Sequence, residues 1–361
     1  MNIVKSTKRF EKWLRRHSPV VEEDLQLKHR RMAESVFLFF RATFYRWAQL
    51  WPNECPELAD APKVLSVGDL HVENFGTWRD IEGRLIWGVN DFDEAWPMAY
   101  TNDLVRLAVS AILASEEQHL RIGSKQAAEA IIEGYQEGLL TGGRAFVLGE
   151  HHVWLRKIAE SALRDPVHFW KKMDSLPGTT AKIPKKALDA IESLLPDRNI
   201  TCRILRRIAG IGSLGHLRVV AVGEWKGGRI AREVKALTPS ACCWAAETRR
   251  SPKLQYQDIV NRAVRCIDPF VRLRGRWLVR RLSPHCSRIE LEMLDEQADE
   301  LRLLHSMGWE TANIHLGSRK AVRDIERHLR KQAPGWLHVA AKHMTDAVAA
   351  DWRTWAQSQN A

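Results

Sequence analysis

A glycine-rich stretch that leads into two alternating runs constrains the fold of this chain more than any other feature. Residues 210–215 read G-x-G-S-x-G, and the runs HLRVVAVGEW and RIAREVKAL follow, separated by Lys226-Gly227-Gly228. Alternation on both sides of a short glycine-containing turn is typical of a β-hairpin. A dinucleotide-binding fingerprint would place a helix after this loop, so the strand that follows disfavours a Rossmann fold. Because glycines lack a Cβ atom, their N–H groups can approach phosphate oxygens closely.

Helical periodicity dominates the rest of the chain. Residues 28–50 carry apolar residues at helical spacing and predict one long buried helix. Further helices are predicted at 101–120, 125–141, 151–164, 187–195, 288–307 and, with loops, 318–357. Short strands are predicted at 63–67, 84–89 and 276–282. We therefore expect a helical lobe over 1–200, a small β lobe with its hinge over 201–288, and a return to the helical lobe over 289–361.

The positive charge of the chain is concentrated in the predicted β lobe. The net charge is +11, and residues 203–282 contain 18 Lys or Arg against 5 Asp or Glu. This segment predicts either a solvated basic surface or a lobe that holds a polyanion, such as nucleotide phosphates or nucleic acid. No apolar run reaches the ~18–20 residues of a membrane span, and the basic N-terminal stretch lacks the apolar core of a signal peptide. The six cysteines show no zinc-binding spacing, so we expect a cytoplasmic protein.

Two loops carry acidic and amide side chains directly after predicted strands. VLSVGDLHVENFG places Asp69 and Asn74 on one loop, and LIWGVNDFDEA places Asp91 and Asp93 at the end of the next strand. An Asp can accept a proton from a hydroxyl, and carboxylate and amide oxygens are suitable ligands for Mg²⁺. In the second hairpin strand, the alternation places Lys235 on the face opposite Val234 and Ala236. Together with the glycine-rich hairpin, these residues predict a kinase-like phosphotransferase.

These motifs resemble those of a known enzyme group and of a bacterial family. GDLHVENFG and NDFDEA are similar to the catalytic and metal loops of aminoglycoside-phosphotransferase-like kinases. With DLVRLAVS at 103–110 and the lysine strand at 233–236, the chain resembles the uncharacterised bacterial domain-of-unknown-function 2252 family. Ordinary kinases place the glycine-rich loop before the catalytic loop, whereas here it follows. The resemblance therefore implies an α+β, protein-kinase-like bilobal fold that is circularly permuted, with a mostly helical large lobe and a small antiparallel β lobe.

The resemblance also implies roles for individual residues. Asp69 would orient and deprotonate the acceptor hydroxyl, and Asn74 and Asp91 would hold Mg²⁺, with Asp93 a second metal contact or a structural acceptor. Lys235 would bind the phosphates of ATP. The loop residues that would cover these phosphates are Gly210, Gly212, Ser213 and Gly215.

Supporting roles follow from the same resemblance. His71 would brace the catalytic loop, and Asp103 would cap its helix or brace that loop. Kinase-like order places an acid that pairs with Lys235 on the helix after the lysine strand. Asp258 is the first candidate for this acid and Glu247 the second.

Several functions are compatible with these motifs. The leading hypothesis is transfer of the γ-phosphoryl group of ATP to a hydroxyl of a small-molecule or protein acceptor, which the sequence does not identify. AMP transfer would use the same metal carboxylates. Asp69-x-His71 also fits the opening motif of a metal-dependent phosphoesterase, although the glycine hairpin and Lys235 would then have no role. The basic segment keeps open a non-catalytic nucleotide or nucleic-acid binder.

Overall fold

The computed structural model describes residues 1–160, 165–179, 182–248, 253–284, 286 and 297–359. They form an α+β fold with more helix than strand. None of the described helices is long and apolar enough to cross a membrane. The helices are α1 (Ile3–His17), α2 (Glu22–Glu34), α3 (Val36–Ala42), α4 (Phe44–Glu54), α5 (Pro56–Ala59), α6 (Tyr100–Glu116), α7 (Ser124–Leu140), α8 (Leu148–His151), α9 (Val153–Ala159), α10 (Pro166–Asp174), α11 (Lys185–Glu192), α12 (Ala241–Ala245), α13 (Tyr256–Arg262), α14 (Gln297–His315), α15 (Val322–Leu329) and α16 (Trp336–Gln359).

Three antiparallel sheets accompany these helices. The strands are β1 (Lys63–Ser66), β2 (Phe75–Arg79), β3 (Leu85–Val89), β4 (Trp96–Ala99), β5 (Phe146–Val147), β6 (Cys202–Arg206), β7 (Arg218–Trp225), β8 (Gly228–Ala236), β9 (Val271–Arg274) and β10 (Trp277–Leu282). The largest sheet has the order β6-β7-β8-β10-β9. A second sheet has the order β2-β3-β5, and β1 pairs with β4.

The helical core is built around α6. Every residue of α6 from Tyr100 to Ala114 is buried, and the helix packs against α7 and α16. Helix α14 lies along α7 at very short range. An ideal Cβ atom on Gly134 of α7 would lie 1.9 Å from the carbonyl oxygen of His305, and one on Gly308 of α14 would lie 2.0 Å from that of Ile131. Glycine at both positions therefore permits backbone contact between these helices.

The five-stranded sheet has one apolar and one charged face. Trp225 pairs with Gly228, so Lys226 and Gly227 alone form the turn of the predicted hairpin, and both have positive φ angles of 47° and 78°. Val234 and Ala236 pack in a cluster that includes residues of α11, whereas Lys235 lies on the opposite face. The alternation in the sequence thus correctly predicts the hairpin and the side of Lys235.

The long helix predicted at 28–50 is wrong. The structure divides this stretch into α2, α3 and α4 at Ser35 and Thr43. Ser35 has an extended backbone, and its hydroxyl accepts a hydrogen bond from the N–H of Leu38 at 3.2 Å, so it is the N-cap of a new helix. Apolar periodicity continues across this cap, which explains why the pattern alone predicted a single helix.

The helix predicted at 288–307 ends eight residues too early, because α14 continues to His315, and the helix predicted at 151–164 is interrupted at His152. The other predicted elements agree with the structure to within a few residues. The helices predicted over 151–164 and 288–307 extend partly outside the described residues, as does the hinge predicted between Ser283 and Arg288. The division of the chain at residues 200 and 288 stays a prediction.

Candidate functional site

A cleft of about 480 Å³ lies between the charged face of the five-stranded sheet and the loops that follow β1 and β3. The two acidic loops predicted from the sequence, residues 68–74 and 90–94, both reach this cleft. The predicted site residues that line it are Asp69, Asn74, Asp91, Asp93, Gly210, Gly212 and Ser213. The fold therefore brings together residues from two distant parts of the chain.

Lys235 connects the sheet to the second acidic loop. Its residue exposure is 1%, and its Nζ atom forms a close ion pair with Oδ2 of Asp93 and lies 3.6 Å from Oδ1 of Asp91. The pKa of Asp93 is raised to about 7, first by burial and then by the neighbouring Asp91, while Lys235 acts in the opposite direction. Burial also disfavours the ionised form of Asp91, but the positive charge of Lys235 outweighs this and lowers its pKa. The two neighbouring carboxyls thus differ, because the pKa of Asp91 is lowered and that of Asp93 is raised.

Asp93 also carries an unsatisfied atom. Its Oδ1 atom is buried and has no hydrogen-bond partner within the described part of the chain. The side chain of Asp91 beside it is 38% exposed to the cleft. A buried carboxylate oxygen without a donor is costly unless a proton or a cation satisfies it. The pair therefore fits a hard divalent cation, which prefers carboxylate oxygens.

Asp69 is held by a buried arginine. Both Nε, at 2.9 Å, and Nη2 of Arg106 donate to Oδ1 of Asp69. The Arg106 side chain is fully buried, and its guanidinium lies 4.1 Å from the ring centroid of Phe40. Burial raises the pKa of Asp69, and Arg106 acts in the opposite direction. Arg106 thus fixes one carboxylate oxygen and leaves Oδ2 for other contacts.

The loop around Asp69 is braced from two sides. Oδ1 of Asn74 accepts the N–H of His71 at 2.7 Å, and Nδ1 of His71 accepts the N–H of Glu73 at 3.2 Å. Asp103, in the first turn of α6, accepts the N–H groups of Val67 at 2.7 Å and Gly68 at 3.0 Å. The expected bracing roles of His71 and Asp103 agree with these contacts. Asn74 lines the cleft, but one lone pair of its amide oxygen is used within the loop.

Asp103 is itself fixed from α14. Nε2 of His315 lies 3.1 Å from Oδ2 of Asp103, and Nδ1 of His315 lies 2.9 Å from the hydroxyl of Tyr135. All three side chains are completely buried. The position of the Asp69 loop therefore depends on how closely α14 packs against α7.

The glycine-rich loop lies directly over Asp69. A Cβ atom on Gly212 would be 3.6 Å from Oδ2 of Asp69 and 3.0 Å from the carbonyl oxygen of Arg41. Gly210 and Gly215 have φ angles of +72° and +99°, which other residues rarely adopt. The Oγ atom of Ser213 accepts a hydrogen bond from Arg218 at 2.7 Å. The backbone of this loop, which has no side chain at its glycines, thus approaches Asp69 closely.

Helix α2 holds the same loop from outside. The Nζ atom of Lys28 donates to the carbonyl oxygen of Gly212 at 2.9 Å, and the N–H of Val21 donates to that of Gly215. Leu25 packs where a Cβ atom of Gly215 would lie. Burial lowers the pKa of Lys28 to about 8. These contacts hold the glycine-rich loop against α2.

The predicted partner acids of Lys235 are corrected by the structure. Asp258 forms its ion pair with Lys253 at 2.9 Å, and Glu247 lies 3.5 Å from Arg9 on the surface. Asp258 is also outside the set of residues that line the cleft. Helix α13 places Asp258 away from the sheet. Lys235 pairs instead with Asp91 and Asp93, which lie on the second acidic loop.

Several residues of the cleft had not been predicted. The residues that line it are Lys28, Glu94, Arg207, Arg218 and Arg280. Arg106 and Glu233 are buried behind this lining and pair with Asp69 and with the arginines. Glu94 accepts the N–H of Ala241 at 2.6 Å, and burial raises its pKa to about 7. Two sequence signals could have found some of them. Glu233 stands two residues before Lys235 on the same strand face, and Arg106 stands one helical turn after Asp103.

Comparison with known proteins adds one finding. A family model described as an uncharacterized protein conserved in bacteria, domain of unknown function 2252, matches residues 17–169. The match supports the assignment of this stretch to that bacterial family. It includes both acidic loops and ends before the glycine-rich loop and Lys235. No curated protein and no solved structure matches the chain significantly.

Proposed function

We propose that this chain is an ATP- and Mg²⁺-dependent phosphotransferase with a circularly permuted, kinase-like arrangement of its lobes. One observation carries the proposal: the buried Lys235 amine pairs with Asp93 and Asp91, which precede it by more than 140 residues and line the same cleft as Asp69. The glycine-rich loop joins the first two strands of the five-stranded sheet in chain order, and Lys235 lies on the third. Protein kinases place their glycine-rich loop and phosphate-binding lysine in this relation.

The residues present fit the metal ion that such a reaction requires. The buried, unsatisfied Oδ1 of Asp93 and the partly exposed carboxylate of Asp91 offer neighbouring oxygen ligands on one loop of the cleft. Asn74 would supply a neutral oxygen from the neighbouring loop. When bound, Mg²⁺ supplies positive charge that neutralises the phosphate oxygens. Lys235, released from Asp93, would contact the phosphates directly.

Asp69 would act on the acceptor. In the proposed transfer, the acceptor hydroxyl oxygen bonds to the γ-phosphorus, the bond from that phosphorus to the β–γ bridging oxygen breaks, and ADP leaves. The hydroxyl proton passes to Oδ2 of Asp69, because Oδ1 is already held by Arg106. Gly212 lies near Oδ2, so the acceptor hydroxyl would reach this oxygen from the cleft that Asp69 lines.

The phosphoesterase alternative has weaker support. A two-metal site would need His71 as a ligand, whereas its Nδ1 atom accepts a hydrogen bond that shapes its own turn. That reading also leaves Lys235 without a catalytic role. AMP transfer remains distinguishable by its product, because it releases pyrophosphate instead of ADP.

The first test measures thermal stability with and without Mg-ATP. Ligand at 100 times its dissociation constant stabilises a fold by about 2.7 kcal/mol. With an unfolding entropy of ~2.1 cal/mol/K per residue, this predicts a rise in Tm of about 3–4 °C. We expect the rise to need Mg²⁺, to disappear in Asp91→Ala and Lys235→Ala, and to persist in Lys186→Ala on the exposed surface of α11. No Mg-dependent shift with ATP, but a shift with Mn²⁺ alone or with an oligonucleotide, would overturn the proposal in favour of the phosphoesterase or the nucleic-acid binder.

A further inference from the structure

Three arginines surround one buried glutamate on the charged face of the five-stranded sheet. Arg280 pairs with Glu233 across β10 and β8, and Arg218 pairs with Lys235 across β7 and β8. Arg207 follows the end of β6. We call Arg207, Arg218 and Arg280 the arginine cage. All three line the same cleft as Asp69 and Asp91.

Glu233 cannot balance the charge of this cage. Its Oε1 accepts from Nε of Arg280 at 2.6 Å, and its Oε2 pairs closely with Arg207 and lies 3.9 Å from Nη1 of Arg218. Across the part of the chain that the structure describes, every salt bridge of these arginines ends on Glu233. Glu233 is therefore the one ion-pair partner of three guanidinium groups in the described residues, while the adjacent Lys235 is paired with Asp91 and Asp93. The negative charge of Asp91 also acts on Arg218 and Arg280. The arginines also hold the pKa of Glu233 well below its usual range, although burial alone would raise it.

The excess charge faces the cleft. The side chains of Arg207 and Arg280 are 22% and 25% exposed, whereas that of Glu233 is 1% exposed. Glu233 thus lies beneath the arginines and orients them. The side chains of Arg207 and Arg280 remain partly accessible, whereas that of Arg218 is 7% exposed and donates to Ser213. Guanidinium groups present paired N–H donors that match two oxygens of a phosphate group. As an alternative ligand, an uncharged aromatic ring would remove water from these cations without accepting hydrogen bonds from their N–H groups.

We propose that the arginine cage is a binding site for phosphate groups in its own right, and that it holds a diphosphate segment of the nucleotide beside Lys235. This inference rests on the proposed function, because it assigns a position to the phosphates of the same nucleotide. It adds a ligand contact that neither the glycine-rich loop nor the metal carboxylates provide. It also predicts that inorganic pyrophosphate binds without the base and without metal.

Titration calorimetry with sodium pyrophosphate in the absence of divalent cations tests the site. We expect binding to the native protein, at least tenfold weaker binding to Arg207→Gln and Arg280→Gln, and an intermediate loss for Arg207→Lys, which keeps the charge but not the fork. Arg203→Gln is the matched control. Arg203 lies on β6 four residues before Arg207, is 61% exposed and pairs with Asp174, so pyrophosphate affinity should remain within twofold of native.

Each outcome decides the inference. No pyrophosphate binding to the native protein, or equal affinity in folded Arg207→Gln and Arg280→Gln, overturns it and leaves the cage as a structural support for Glu233. Arg280→Gln removes the Nε–H group that donates to the buried carboxylate of Glu233. Circular dichroism therefore checks that this variant folds. If that variant does not fold, the more peripheral Arg207→Gln and Arg207→Lys pair decides.

The result is separable from the proposed function. Asp91→Ala should abolish Mg-dependent ATP binding without weakening metal-free pyrophosphate binding, because it removes a negative charge that acts on Arg218 and Arg280. If pyrophosphate binding depends on the cage but no Mg-ATP response exists, the anion site stands and the phosphotransferase proposal fails. If Mg-ATP binds through Asp91 and Lys235 but the cage variants bind pyrophosphate normally, only the cage inference fails.

Discussion

Replacing Gly134 of α7 by alanine should destabilise the protein, although alanine is the better helix former. The added Cβ atom would lie 1.9 Å from the carbonyl oxygen of His305, far inside a van der Waals contact. Because the obstacle is backbone, no side-chain rotation relieves it, and α7 and α14 must separate by roughly 1 Å. Overpacking of this kind costs about 3 kcal/mol or somewhat more, against a helix-propensity gain of about 1 kcal/mol. The net expectation is a loss of about 2–3 kcal/mol.

Thermal unfolding followed by circular dichroism measures this loss. With ~2.1 cal/mol/K of unfolding entropy per residue, we expect Tm to fall by about 3–4 °C. Gly149→Ala in α8 is the control, because its Cβ atom would meet nothing within 4 Å. The control should change Tm by no more than about 1 °C, in the stabilising direction. A Tm for Gly134→Ala at or above that of the native protein would refute the close backbone contact between α7 and α14.

Three further predictions concern the site and its support. Burial raises the pKa of Glu310 to about 7. The folded state then holds this proton more tightly than the unfolded state, so stability should fall as pH rises from about 4.5 to 7, by up to roughly 3 kcal/mol. Glu310→Gln should flatten this decline in Tm between pH 5 and pH 8, and an unchanged decline would contradict the assignment. Arg106→Lys should retain Mg-ATP binding but lower ATP turnover by about 100-fold, because a single amine cannot hold Asp69 through two nitrogens; equal turnover would show that this contact is dispensable. Lys28→Met should speed amide hydrogen exchange across residues 210–215, since it removes the hydrogen bond to the carbonyl oxygen of Gly212. Lys12→Met is the control, and unchanged exchange in Lys28→Met would show that this hydrogen bond does not hold the loop.

The sequence predicted local structure where its signals agreed with one another. The hairpin of β7 and β8 combined alternation with a glycine-containing turn, and both the turn and the side of Lys235 were confirmed. The helix predicted at 28–50 failed because Ser35 stops one helix and caps the next without interrupting the apolar pattern. A serine within an apolar run can lie inside one helix or cap the next, and the hydrogen bond of its hydroxyl distinguishes the two cases.

The sequence predicted which residues line the site but not which of them pair with one another. Asp69, Asn74, Asp91 and Asp93 were found because each follows a strand, and strand ends deliver side chains to a common edge. The partner of Lys235 was misassigned to Asp258, since chain order does not determine which acid a buried amine meets across a cleft. Arg106 was missed because its environment of Asp69 and aromatic rings is created only by packing.

The distance between Lys235 and its acids along the chain also has a consequence for synthesis on the ribosome. At ~5–20 residues per second, about 7–29 s separate the emergence of Asp91 from that of Lys235, 144 residues later. During this interval the second acidic loop has no cationic partner from β8. Helix α6 likewise emerges more than 200 residues before α16, against which it packs. Helix α7 emerges soon after α6 and can cover part of it, but the surface of α6 that packs against α16 stays uncovered while translation continues. Transiently exposed apolar surface of this kind is what makes folding intermediates prone to aggregation.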